Sequence, residues 1–102
     1  MTKRITLFCA AGMSTSLLVS KMREEAAKNG WDYDINAYSL TESAQQGPLA
    51  DCILLGPQVR YATNKMKADF PDKPVDSIEM RAYGMMDGKT VVAKARKMMG
   101  DA

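Results

Sequence analysis

Apolar positions along the chain repeat with two different periods, and the two periods alternate. Residues 5–8 are mostly apolar, as expected of a buried strand, and this run stops at Cys9. From Leu18 and Met22 onward, apolar residues recur at every fourth position, which is typical of a helix with one apolar face. Asn29-Gly30 then gives a signal for the C-terminal end of this helix. The chain is therefore predicted to begin with a strand, a loop and a helix.

The middle of the chain repeats this arrangement. Residues 31–38 alternate between two sets of positions, one apolar and one mostly polar, which predicts a strand with one solvated face at the edge of a sheet. Residues 41–46 fit a short helix that Gly47-Pro48 would end. Residues 52–55 form a continuous apolar run, which is typical of a central parallel strand.

The last part of the chain predicts two further helices around a short strand. Gly56-Pro57 begins a helix that Pro71 ends, and residues 73–76 form a short fourth strand. One or two helical turns at residues 79–83 precede a final helix capped by Asp87. The residues of the two long helices expected to face the core are Val59, Ala62, Met66, Phe70, Val91, Val92, Ala95 and Met98.

Strands and helices that alternate in this way predict an α/β fold with a parallel sheet covered by helices on both faces. We predict a single three-layer domain over residues 1–102, with four strands in the order 2-1-3-4. In that order the chain reverses its direction across the sheet after the first strand. The binding crevice of such folds opens at this point, outside the carboxyl ends of the strands, where Cys9 lies.

Composition narrows the possible functions. Hydrophobic residues make up 46% of the chain and the net charge is +2, with scattered basic residues, so nucleic acid is not expected as a partner. The apolar run at the start is too short for a signal peptide, and no stretch is long enough for a membrane span. We therefore expect a cytoplasmic protein.

The chain contains no histidine and two cysteines, Cys9 and Cys52. The lack of histidine removes phosphohistidine chemistry, an internal Cys-His nucleophile pair and the commonest transition-metal ligand. We predict no metal and no cofactor. Cys52 begins an apolar strand and is interpreted as a core residue, whereas the position of Cys9 at a strand end favours a functional thiol.

The segment after Cys9 has the features of an anion-binding loop. It joins a strand end to a helix start, where backbone N–H groups lack intrahelical partners and the helix dipole favours a thiolate or a phosphoryl group. Ser14 is the expected N-cap, and no charged residue occurs at positions 8–20. The predicted phosphate-binding residues are Ala10, Ala11, Gly12, Met13, Ser14, Thr15 and Ser16.

A reactive cysteine can serve two other functions. A cysteine-dependent phosphatase needs an arginine at the sixth position after the cysteine to grip the phosphate, and here that position is Thr15. A redox or regulatory thiol would leave the hydroxyl-rich loop unexplained, and the sequence offers no second cysteine near Cys9. Both alternatives are less favoured than a protein that holds phosphate and passes it on.

Three motifs resemble one known family. Residues 7–19, from Leu7-Phe8-Cys9 to Leu17-Leu18-Val19, are similar to the phosphorylation loop of enzyme IIB proteins of the lactose/cellobiose class, in the bacterial phosphoenolpyruvate-dependent phosphotransferase system. Leu54-Leu55-Gly56-Pro57-Gln58 and Tyr83-Gly84-Met85-Met86-Asp87-Gly88 resemble the same family. Within it, Ala10-Ala11 and Met13 favour the cellobiose/chitobiose-like branch. The resemblance implies the same four-stranded fold, similar to that of low-molecular-weight tyrosine phosphatases.

The resemblance also implies a reaction and partners. Cys9 would accept phosphate from a phosphohistidine of a IIA protein and pass it to a sugar, such as cellobiose or chitobiose, bound by the membrane permease IIC. The protein would then associate with the inner face of the membrane through IIC. Tyr83 is a possible accessory donor to the phosphate or a packed anchor, and Met13, Met85 and Met86 are either a docking rim or ordinary buried residues. We interpret Lys94, Arg96 and Lys97 as a solvated helix face.

Overall fold

The computed structural model describes residues 2–10 and 15–101. Its strands are β1 (Lys3–Cys9), β2 (Tyr33–Ser39), β3 (Cys52–Leu55) and β4 (Val75–Ser77). Its α-helices are α1 (Ser16–Lys28), α2 (Ser43–Gln46), α3 (Thr63–Asp69), α4 (Met80–Gly84) and α5 (Gly88–Met99). None of the helices in these ranges is long and apolar enough to cross a membrane.

The strands form one parallel sheet in the order β2-β1-β3-β4, which confirms the predicted topology. In its register Cys9 lies opposite Ser39, Phe8 opposite Leu55, and Leu55 opposite Ser77. Parallel pairing with this register places the carboxyl ends of all four strands at the same edge of the sheet. Cys9 therefore ends an internal strand, with β2 on one side and β3 on the other.

Helices cover both faces of the sheet, and each face has its own core. The first cluster joins the sheet to α1, α4 and α5, and includes Leu7, Leu18, Met22, Leu54, Tyr83, Val91, Val92 and Ala95. The second joins it to the Pro57–Ala62 segment and α3, and includes Phe8, Ile53, Leu55, Val59, Ala62, Met66 and Val75. Because side chains alternate along a strand, Cys9 shares the face of Leu7, which is the face of α1.

The helices α1 and α5 pack unusually closely at one point. A Cβ atom built on Gly88, the first residue of α5, would lie 2.5 Å from the backbone carbon of Lys21 and 2.6 Å from the backbone nitrogen of Met22. Asp87 caps α5 as predicted, with its carboxylate accepting from the backbone N–H of Thr90. The hydrogen bond from the Thr90 hydroxyl and the one from its backbone N–H lower the pKa of Asp87. Gly88 thus allows the N-terminus of α5 to meet the middle of α1.

The short helix before β3 ends at Gln46, directly before Gly47-Pro48 as predicted, but it begins at Ser43 after a 3-10 turn over Leu40–Glu42. A second 3-10 turn, Gly47–Leu49, follows it. Gly47 is buried against the ring of Phe70, and proline is tolerated at the start of such a turn because its missing N–H would have no partner there. The segment after Gly56 is a 3-10 helix, Pro57–Ala62, with a kink at Val59 before α3 begins.

The interpretation of the basic run in α5 as a solvated face holds for Lys97 but not for its neighbours. Lys94 Nζ donates to the carbonyl oxygen of Ser77 at 2.8 Å, which joins α5 to β4. The Arg96 guanidinium lies 3.9 Å from the centre of the Trp31 ring and donates to the backbone oxygen of Asp101 at 2.8 Å. These contacts bring together residues distant in sequence, which a local charge pattern does not show.

The close approach of α1 and α5 predicts that Gly88→Ala destabilises the fold. The added methyl group meets backbone rather than a movable side chain, so we expect a loss of roughly 1–3 kcal/mol in the free energy of unfolding. Gly84→Ala is the matched control, because a Cβ atom at Gly84 meets nothing within 4 Å. Urea denaturation followed by circular dichroism measures both. Equal midpoints for the two variants would contradict this account of the packing.

Candidate functional site

Cys9 lies where β1 ends, and its thiol contacts two neighbouring segments. The sulfur is 3.5 Å from the hydroxyl oxygen of Thr15 and 3.9 Å from the carbonyl oxygen of Tyr38, to which the thiol donates. The residue is 1% exposed. The thiol is therefore held between β2 and the start of α1 rather than projecting into solvent.

The N-terminus of α1 adjoins this thiol. The helix begins at Ser16, and Thr15 occupies the N-cap position, one residue later than the Ser14 cap that the sequence suggested. Thr15 is fully buried, while Ser16 is exposed. The partial positive charge of a helix N-terminus favours an anion at this place, and the Thr15 hydroxyl adds a neutral hydrogen-bonding group beside the sulfur.

The structure describes the two ends of the predicted phosphate-binding loop. Ala10 is an exposed residue in a bend directly after β1, and Thr15 and Ser16 lie at the start of α1. The predictions for Ala11, Gly12, Met13 and Ser14 fall outside the described residues. The contact between Cys9 and Thr15 brings the two ends of the loop together.

A second loop, not included among the predicted site residues, borders Cys9 on the side of β3. The Gly56 N–H donates to the carbonyl oxygen of Phe8 at 2.9 Å. A Cβ atom built on Gly56 would lie 3.4 Å from the Cβ of Cys9 and 3.2 Å from Oε1 of Gln58. The position of this loop beside Cys9 could have been predicted from the strand order 2-1-3-4, because that order places the end of the third strand next to the end of the first.

A groove of about 440 Å³ opens beside Ala10 at the same edge of the sheet. Its lining includes the hydroxyl residues Ser39 and Tyr61, the cation Lys65 and the apolar residue Val59. A crevice at this edge agrees with the position expected from the reversal of chain direction next to β1.

Cys52 has the surroundings of a structural residue. It is fully buried at the start of β3 and packs in the first core cluster. Burial, with a smaller effect from the charges of Asp51 and Asp76, raises the pKa of its thiol from 9.0 to about 12. These features confirm the prediction that Cys52 belongs to the core.

Tyr83 and the nearby methionines differ in their surroundings. Tyr83 is 7% exposed on α4 and packs in the same cluster as Leu7, which favours the packed anchor, while its contact with phosphate stays a prediction. Met86 is half-buried against this cluster with a φ of 53°, and Met85 is 66% exposed. The suggested rim thus has one exposed member among the described residues, and its role in docking also stays a prediction.

The surroundings of the two cysteines predict selective alkylation. Iodoacetamide reacts with thiolates, and at pH 8 a pKa of about 12 leaves roughly one Cys52 in ten thousand ionised. We expect the native protein to be modified first at Cys9, and Cys52 to react only on unfolding or as the pH rises toward 12. Peptide mass spectrometry after timed labelling measures the two rates. Modification of both residues at the same rate in the native protein would count against this assignment.

Comparison with known proteins places the chain in one family. The family model described as "PTS system, Lactose/Cellobiose specific IIB subunit" matches residues 4–94. The galactose-specific EIIB component of Lactococcus lactis subsp. cremoris (strain MG1363) is 47% identical, over 95% of this chain and 96% of the relative. The cellobiose-specific EIIB component of Lactococcus lactis subsp. lactis (strain IL1403) has the same identity and coverage. The oligo-beta-mannoside-specific EIIB component of Bacillus subtilis (strain 168) is 39% identical, also over 95% and 96% of the two chains.

Solved structures agree with this assignment. The cellobiose-specific phosphotransferase IIB component of Borrelia burgdorferi has a TM-score of 0.82 and 29% identity, over 99% of this chain and 94% of that one. The lactose-specific IIB domain of Streptococcus pneumoniae has a TM-score of 0.83 at 18% identity, over 93% and 98%, and shares the fold. The chain thus belongs to the lactose/cellobiose-specific IIB family of the phosphotransferase system, whose members act as phosphotransferases.

Proposed function

We propose that Cys9 carries the phosphoryl group in this IIB component. The observation that supports the proposal most directly is the position of its thiol, at the end of an internal strand and 3.5 Å from Thr15 at the N-terminus of α1. The two ends of the predicted loop, Ala10 on one side and Thr15-Ser16 on the other, lie next to this thiol. A IIB component works with IIA and IIC partners, so the phosphoryl group has both a donor and an acceptor outside this chain.

The proposed reaction has two substitution steps at phosphorus. In the first, the Cys9 thiolate attacks the phosphorus of a phosphohistidine on IIA, an S–P bond forms, and the P–N bond breaks with its electron pair left on the imidazole. In the second, a hydroxyl oxygen of the sugar bound by IIC attacks the phosphorus and gives up its proton to a base. The S–P bond breaks and the Cys9 thiolate is regenerated. No group in this chain has to change its oxidation state.

The neutral surroundings of Cys9 explain why the phosphoryl group would be passed on rather than hydrolysed. Positions 8–20 contain no charged residue, so the loop binds phosphate through neutral donors and the helix dipole. A phosphatase would use an arginine at position 15, and Thr15 here is a fully buried hydroxyl residue. We therefore do not favour the phosphatase alternative.

The relatives suggest the class of sugar. Their names specify galactose, cellobiose and oligo-beta-mannoside, and two of these three are β-linked sugars. We propose a β-linked disaccharide, such as cellobiose or chitobiose, as the acceptor, with its pocket in IIC. Residues 1–102 would act as a single domain in the cytoplasm, bound to the inner face of the membrane through IIC.

The central prediction is that Cys9→Ser abolishes phosphate uptake while the fold is kept. Serine is nearly isosteric with cysteine but a much weaker nucleophile at neutral pH. The protein is mixed with phosphoenolpyruvate, the general phosphotransferase proteins and a IIA protein, and phosphate is located by mass spectrometry. Cys52→Ser is the matched control and should accept phosphate at the rate of the natural protein. Phosphate on Cys9→Ser at the normal rate would refute the proposal.

The contact between Thr15 and Cys9 predicts that the hydroxyl group contributes to transfer. Thr15→Val keeps the size of the side chain and removes the hydroxyl, so we expect phosphorylation to slow by about tenfold, as for the loss of one hydrogen bond to a charged group. Thr15→Ser keeps the hydroxyl and should retain most of the rate. The measurement is the initial rate of phosphate appearance on Cys9. A threonine with only a packing role would give the opposite order, with Thr15→Val the better of the two.

A further inference from the structure

We propose that the side-chain amide of Gln58 donates a hydrogen bond to the phosphoryl group on Cys9. This inference rests on the proposed function and adds a donor from a second loop. The motif Gly56-Pro57-Gln58 follows β3 and lies outside the predicted phosphorylation loop. Three features of the structure support this proposal.

The first feature is the alignment of two strand ends. Phe8 pairs with Leu55 in the parallel register of β1 and β3, so the residue that follows each of them lies at the same level of the sheet. The Gly56 N–H donates to the Phe8 carbonyl oxygen at 2.9 Å and extends this pairing beyond Leu55. The loop that begins at Gly56 is thereby fixed beside Cys9 by backbone hydrogen bonding, independently of any side chain.

The second feature is the direction of the Gln58 side chain. Gln58 is an exposed residue of the Pro57–Ala62 3-10 helix, yet its Oε1 lies only 3.2 Å from the position that a Cβ atom of Gly56 would occupy. The Cβ of Cys9 lies 3.4 Å from that same position. The amide oxygen therefore lies no more than 6.6 Å from the Cβ of Cys9, within reach of a group carried on its sulfur. Rotation of the amide exchanges its oxygen and nitrogen, and the nitrogen carries two N–H donors.

The third feature is the glycine itself. Gly56 has φ −60° and ψ 152°, an extended conformation that any residue adopts, so backbone geometry alone does not require glycine at this position. A methyl group there would contact both Cys9 and the Gln58 amide. The missing side chain leaves open the space between the cysteine and the amide. A neutral amide donor also suits a loop with no charged residue, because it stabilises the phosphoryl group without the full charge of an arginine.

The test measures an equilibrium, so that a role of Gln58 in docking does not affect the result. Phosphorylated IIA and the IIB variant are mixed at concentrations below those at which they associate, and the distribution of phosphate between the IIA histidine and Cys9 is measured by intact-protein mass spectrometry. The variants are Gln58→Ala, Gln58→Glu and Gly56→Ala. Gln45→Glu, at an exposed position in α2, is the control for the charge change.

We expect Gln58→Ala to shift the equilibrium toward phosphorylated IIA by about tenfold, as for one hydrogen bond to a charged group. Gln58→Glu should shift it further, because a carboxylate donates no hydrogen bond and repels the phosphoryl group. Gly56→Ala should shift it in the same direction with Gln58 intact, because the methyl group displaces the flexible amide. Gln45→Glu should leave the equilibrium unchanged.

The outcomes separate this inference from the proposed function. If the natural protein takes up no phosphate on Cys9, the proposed function fails. If the natural protein is phosphorylated and Gln58→Ala has the same equilibrium, the amide makes no contact with the phosphoryl group and the inference is wrong. A shift in Gln58→Glu alone would indicate repulsion without a hydrogen bond, and would also overturn it. Should Gly56→Ala not fold, as judged by circular dichroism, the two Gln58 variants still decide the question.

Discussion

The parallel pairing of β1 with strands on both of its sides is the constraint on which the candidate site depends. Because β1 is internal, its apolar residues are buried on both faces of the sheet, and its hydrogen bonds fix the height at which Cys9 leaves the sheet. The same pairing brings the end of β2 and the loop after β3 to the two sides of Cys9. A strand at the edge of the sheet would present its last residue to one neighbouring loop only.

The packing of the helices against the sheet also determines what surrounds the thiol. Cys9 shares the face of Leu7, and α1 covers that face, so the start of α1 meets the sulfur through Thr15. The position of α1 depends in turn on α5, whose first residue approaches the backbone of Lys21 closely because it is Gly88. Gly88, which is far from Cys9 in sequence, therefore affects the position of α1 and, through α1, the surroundings of the thiol.

Charged side chains lie at both ends of the sheet, but they stand in different relations to the site. At the amino ends of β1 and β2, Asp101 accepts from Lys3 at 2.6 Å and from the Tyr33 hydroxyl at 2.7 Å. Both hydrogen bonds lower the pKa of Asp101, while burial and the bond to Asp101 raise that of Tyr33 to about 12. At the carboxyl ends, Lys94 pairs with Asp76 at 3.2 Å and Glu42 accepts from the Ser39 N–H at 3.0 Å. The described partners of the Cys9 sulfur nevertheless include two neutral groups, a hydroxyl and a carbonyl, which suits the phosphoryl group proposed for this thiol.

The sequence by itself determined the elements and the position of Cys9, because both follow from local patterns: the period of apolar residues, and a small-residue loop between a strand and a helix. The predicted strand order is one that right-handed crossovers and helices on both faces of the sheet permit. Only the tertiary structure decided which distant residues meet. Gly56 lies beside both Cys9 and the Gln58 side chain, Arg96 packs over the ring of Trp31, and the ring of Phe70 covers Gly47. Such contacts depend on how the elements pack together, and no local repeat in the chain encodes their distances.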